Sequence, residues 1–60
     1  MSQFSERLTA LRKEKGISQA AAAKELKVAL RGLQSYEYGD TEPRLSIVIR
    51  VADFYGVSLD

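Results

Sequence analysis

The sequence predicts an all-α fold, a compact bundle of four to five short helices, on three observations. Apolar residues recur at helical spacing (i, i+3, i+4, i+7) in separate stretches of the chain. Gly16, Gly39 and Gly56 stand where three of those stretches end, as left-handed helix caps do. The segment from Ile17 to Gly39 reads as two short helices joined by a tight turn.

In the first helix Phe4, Leu8 and Leu11 share a face, while Arg7, Arg12, Lys13 and Glu14 fall on others; it ends near Lys15, before Gly16. Ser18 is a good N-cap for the second helix, which opens at Gln19 and continues through Ala20 to Ala23, the residue type of highest helix propensity. Ala22, Ala23 and Leu26 give it a core stripe. Val28, Leu33 and Tyr36 supply the apolar face of a third helix, with Val28 and Leu33 placed as a hydrophobic staple around Ala29, and Gly39 closes it. Residues 40–43 form a loop, because Pro43 disfavours a helical Glu42 and suits a helix entrance. A fourth helix is expected from about Leu45 to Tyr55, with Leu45, Val48, Val51, Ala52 and Tyr55 inward and Gly56 as its stop. Val57, Ser58, Leu59 and Asp60 read as the opening of one more helix. Residues 1–60 thus make a single domain, with a helix-turn-helix at about 18–37.

Composition narrows the functional classes. Sixty residues are near the size at which one core gives only about 3–5 kcal/mol, and they leave little room for an enzyme's cleft. With no Cys there is neither a disulfide framework nor thiolate zinc; with no His the commonest metal ligand and general base are missing. No pair of carboxylates sits in an apolar setting that would shift a pKa usefully. The expectation is a protein that is not an enzyme and uses no cofactor or metal. No apolar run approaches a membrane span and the start MSQFSERL lacks a signal peptide's pattern, so no membrane association and a cytoplasmic location are expected.

The net charge of +1 conceals an asymmetry. Residues 1–36 carry seven Lys and Arg against three Glu, while residues 37–60 carry two Arg against five Asp and Glu. A basic half containing the helix-turn-helix suits a polyanion binder, because neutralising phosphates releases counterions. The alternative is a solvated surface whose signs happen to segregate. The third helix also has a non-core face of Leu30, Arg31, Gln34 and Ser35, in the layout by which small proteins present side chains to the major groove.

Ile17, Ser18, Gln19, Ala23, Leu26, Leu33, Glu37, Gly39 and Pro43, followed by Leu45, Val48, Val51, Ala52, Gly56 and Val57, resemble the lambda-repressor-like helix-turn-helix family of Cro- and XRE-type regulators, from about Phe4 to Leu59. The resemblance implies a bundle that binds double-stranded operator DNA in the major groove, usually as a homodimer, to regulate transcription in bacteria or phage. It places Leu30, Arg31 and Ser35, with Gln34 beside them, at positions that reach base edges. Arg31 is the strongest reader, since its planar fork can bond guanine O6 and N7 together, whereas Leu30 can meet only a thymine methyl. Gln19 is expected on a phosphate, at a helix N-terminus that favours anions. Lys27, Tyr38 and Arg44 flank the reading helix as further phosphate contacts. Arg12 and Glu37 match a family ion pair that braces the fold.

The chain also departs from the family pattern. Lys27 occupies a turn position usually given to glycine, where a left-handed backbone costs about 1 kcal/mol. Ala29 replaces the usual Ser or Thr cap, at about 1 kcal/mol. Gly32 lies inside the third helix, costing up to about 1 kcal/mol relative to Ala while permitting close approach to DNA. Leu30 removes the glutamine that in phage repressors pairs with the one at Gln19. Ala22 replaces a large core residue, leaving space for Phe4 or Tyr36 to fill. The loop from Tyr38 to Glu42 is acidic where DNA backbone is expected.

On the fourth helix Ile47 and Phe54 lie seven apart, outside the inward stripe drawn above. With Val57 and Leu59 they are candidates for a dimer or partner surface, or for cover by a fifth helix; scattered surface hydrophobes are the plainer reading. A symmetric dimer would set two reading helices about 34 Å apart and predict a pseudo-palindromic operator. The competing function is a protein-interaction module of the same fold, using Ile47, Phe54 and the acidic loop, without base readout.

Overall fold

The computed structural model describes residues 3–58. Four helices follow in order: α1 (Gln3–Lys15), α2 (Gln19–Leu26), α3 (Leu30–Tyr38) and α4 (Leu45–Tyr55), with no strand among the described residues. They pack into a globule of 23 × 22 × 19 Å, with α3 against α1 and α2, and α4 against α2.

Local chemistry sets each boundary. Ser18 accepts a hydrogen bond from the Ala21 N–H at 3.0 Å, capping α2. Lys27 ends that helix in the left-handed region (φ 59°, ψ 43°), and its N–H is shared between the Ala23 and Lys24 carbonyls. The guanidinium of Arg50 reaches across from α4 to the Leu26 and Lys27 carbonyls at 3.3 and 3.4 Å, placing a cation at the negative end of α2. Ala29 has extended backbone but offers no side-chain cap to α3. Gly39 stops α3 at φ 81°, and a Cβ there would lie 3.3 Å from the Ser5 hydroxyl oxygen, so α1 packs close against this turn.

The core joins Leu8 of α1, Ala22, Ala23 and Leu26 of α2, Leu33 of α3 and Val51 of α4. Phe4 and Tyr36 both pack against this cluster. Leu11 is only half-buried, and Ser5 takes a fully buried position on α1.

The inward stripe expected for α4 is corrected. Leu45 is 73% exposed, whereas Ile47 and Phe54 pack against the core with Val51 and Tyr55. The reason is helical phase. At about 100° per residue from the buried Val51, Ile47, Val48, Phe54 and Tyr55 all fall within about 60°, while Leu45 lies about 120° and Ile49 about 160° away. Phe54 also meets Tyr55 edge-on, with ring centroids 4.8 Å apart, and the Lys15 ammonium sits 5.0 Å over its ring. Ile47 and Phe54 are therefore core-facing, and the apolar side chains left open on α4 are Leu45 and Ile49. Val57 is half-buried and, like Ser58, lies outside any helix; Leu59 and the rest of the expected fifth helix fall outside the described residues. No described helix is long and apolar enough to cross a membrane, and no described cluster of His, Cys, Asp or Glu could hold a metal ion.

Candidate nucleic-acid interface

The third helix is anchored by Leu33, which is 1% exposed. Half a turn away, Arg31, Ser35 and Tyr38 recur at i, i+4 and i+7 along the opposite side. Arg31 and Tyr38 are exposed and Ser35 is half-buried. Leu30 and Gln34 occupy one flank of that stripe, with Leu30 exposed and Gln34 half-buried. Gly32 lies on the other flank, and a Cβ built there meets no atom within 4 Å. The outward surface of α3 is thus one guanidinium, one hydroxyl and one phenol, edged by an aliphatic side chain and an amide. Lys27, in the preceding turn, and Arg44, which starts α4, are exposed on either side in sequence.

Beneath this surface lies a polar network between helices. Arg12 Nε donates to Glu37 Oε2 at 2.8 Å, with Glu37's side chain 1% exposed. The same guanidinium donates from Nη1 to the Ile17 carbonyl at 3.0 Å, fastening the link between α1 and α2. The second carboxylate oxygen of Glu37 accepts from Gln19 Nε2 at 3.1 Å, and Gln19 Oε1 accepts from Gln34 Nε2 at 3.3 Å. Thr9 Oγ1 donates to the Glu37 carbonyl at 3.5 Å, a long contact. A buried charge is tolerable where its partner and its remaining lone pairs are satisfied, and Arg12 with Gln19 meets that need for Glu37.

The hydroxyl of Tyr55 is shut off from solvent near this pair and finds no hydrogen-bond partner among the described residues. Burial raises its pKa above the ordinary value; the Glu37 charge adds to the rise and the Arg12 charge opposes it.

The structure brings together Arg12, Gln19, Gln34 and Glu37, which sequence reasoning had assigned to three separate roles. Gln19 gives its side chain to the network, donating to Glu37 and accepting from Gln34. Leu30 does not pair with Gln19; Gln34, one turn later, does. Arg50 entered the sequence reading only as a charge, and its grip on the α2–α3 turn has no local signature, since its partners lie 23 and 24 residues away.

Comparison with known proteins agrees with this architecture. A helix-turn-helix family model matches residues 8–60. The chain is 39% identical over 57 residues to an SPbeta prophage-derived uncharacterized HTH-type transcriptional regulator, YonR, of Bacillus subtilis (strain 168). The match covers 95% of this chain and 53% of that protein, so the chain spans about half its relative's length. No solved structure gives a significant match. A family match over nearly the whole described chain, on a bundle whose second and third helices meet through a tight left-handed turn, leaves one assignment: the chain belongs to the XRE-type helix-turn-helix family.

Proposed function

We infer that this chain binds double-stranded DNA in the major groove, sequence-specifically, to regulate transcription, and that it does so as a homodimer on a pseudo-palindromic operator. The observation that carries the reading is the outward face of α3. Arg31 stands exposed near the helix's N-terminus, opposite the buried Leu33, on a helix locked to α1 and α2 by the Arg12, Glu37, Gln19 and Gln34 network. A reading helix needs that rigidity, because base contacts tolerate little misplacement. Arg31 supplies a fork for guanine, Leu30 an apolar contact for a thymine methyl, and Ser35 and Gln34 further polar contacts. Lys27, Tyr38, Arg44 and the N-terminus of α2 at Gln19 take phosphates. The mechanism is non-covalent, and the setting is the bacterial or phage cytoplasm, on the nucleoid.

The competing reading, a protein-interaction module of the same fold, draws on Leu45 and Ile49, which are 73% and 52% exposed. Selection of bound duplexes from a randomised pool separates the two. A two-fold motif containing a guanine, lost in Arg31→Ala with the helical signal intact, is the outcome expected of a DNA reader. Absence of any enriched motif at low salt would leave the interaction module.

A further inference from the structure

The network under α3 has a direction. A guanidinium only donates hydrogen bonds and a carboxylate only accepts them. Glu37, paired with Arg12, therefore obliges Gln19 to turn its NH2 toward Oε1, which leaves the Gln19 carbonyl oxygen facing Gln34. Gln34 answers with its own NH2 at 3.3 Å. What Gln34 retains is its carbonyl oxygen and one amide N–H. An amide turned the other way, with its oxygen toward Gln19, would retain two N–H groups instead.

Resting on the DNA-binding reading above, we propose that the Arg12–Glu37 ion pair, relayed through Gln19, fixes the hydrogen-bond polarity of Gln34 so that Gln34 reads adenine beside the guanine read by Arg31. Adenine offers the major groove an N6–H donor and an N7 acceptor, which an amide oxygen and one N–H match together. Guanine offers two acceptors, O6 and N7, and a phosphate offers only acceptors; both suit the reversed amide instead. Gln34 follows Arg31 by three residues and Leu30 by four, so its neighbours on the helix surface are the other proposed readers. Gln19 and Glu37 are positioning residues in this scheme, and Gln34 sets specificity.

The test is selection from a randomised duplex pool with the wild-type chain and with Gln34→Met, Gln19→Leu and Glu37→Gln, each checked for helicity and melting. Wild type is expected to enrich an adenine next to the Arg31-dependent guanine, and 7-deazaadenine at that position is expected to weaken binding at least roughly fivefold. Gln34→Met removes the adenine preference. Gln19→Leu keeps the Arg12–Glu37 pair and lowers affinity through its lost phosphate contact, yet it should also relax adenine to adenine or guanine while the Arg31 guanine stays required. Glu37→Gln, where it folds, shifts the preference from adenine toward guanine, because Arg12 holds the new amide's oxygen, turns its NH2 toward Gln19 and so reverses both glutamines. Uniform weakening in Gln19→Leu with the adenine preference unchanged overturns the relay, as does a wild-type motif with no position that Gln34→Met alters. If wild type enriches no motif at all, the DNA-binding reading fails and the relay falls with it, an outcome visible before any variant is made.

Discussion

Tyr55 places a hydroxyl where water does not reach and no described group bonds it, beside the ion pair that orders three helices. An unsatisfied buried polar group costs roughly 1–3 kcal/mol, so the ring is held there for its packing against Phe54 and the core and in spite of its oxygen. Tyr55→Phe is expected to leave stability at neutral pH equal or to raise it by up to about 1 kcal/mol. The pH dependence carries the sharper expectation. Because burial raises the folded-state pKa, the folded chain holds the phenolic proton longer than the unfolded chain does. Tyr55's contribution is whole below the unfolded value near 10, and is lost as pH rises from there through the raised folded value. Thermal melts across that alkaline range should show wild type losing stability faster than Tyr55→Phe; parallel curves would mean the hydroxyl is solvated in the folded chain.

Among the elements, α3 is the one whose own residues support it least. Its N-cap is an alanine without a capping bond, a glycine lies inside it, and the turn that feeds it holds Lys27 left-handed. It persists because Leu33 and Glu37 tie it to neighbouring helices. Ala29→Ser is expected to add about 1 kcal/mol by supplying the missing cap. Gly32→Ala is expected to add up to about 1 kcal/mol as well, since the new methyl meets nothing within 4 Å. The two variants should part on DNA: Gly32→Ala weakens binding where the helix backbone approaches the duplex, whereas an equal loss in both would tie affinity to helix flexibility instead. Denaturant titration and a binding isotherm for each variant make the comparison. The caps were legible in sequence because they are local: Ser18, Gly16, Gly39 and Gly56 each act within one turn. The α4 face is legible in part: Val51 and Tyr55 lie inward as the spacing predicts, but Leu45 falls about 120° from Val51 and is exposed, while Ile47 and Phe54 fall within about 60° of it and pack on the core. The Gln19–Gln34 bond was not legible at all, since it depends on the angle at which α3 crosses α2, and the ion pair of Arg12 and Glu37 was reached only through the family resemblance.

At the scale of the whole molecule, the proposed homodimer has to bring two copies of α3 together from a small body. Its accessible surface is 4108 Å². A standard stable interface takes about 800 Å² from each partner, or about a fifth of that surface. Since Ile47 and Phe54 are engaged with the core, the open apolar groups of α4 are Leu45 and Ile49, one turn apart on the same side. Two aliphatic side chains fall well short of such an area, so this chain is expected to be monomeric alone at micromolar concentration and to pair when two copies occupy adjacent half-sites. DNA then supplies the effective concentration that the weak contact lacks. Sedimentation of the free chain should give one copy, and titration of a two-fold site should be cooperative. Ile49→Glu would place like charges across a symmetric contact, abolishing the cooperativity while leaving half-site affinity within about twofold, because the substitution lies on a different helix from the readers. Cooperativity that survives Ile49→Glu would assign the dimer contact to another surface of the chain.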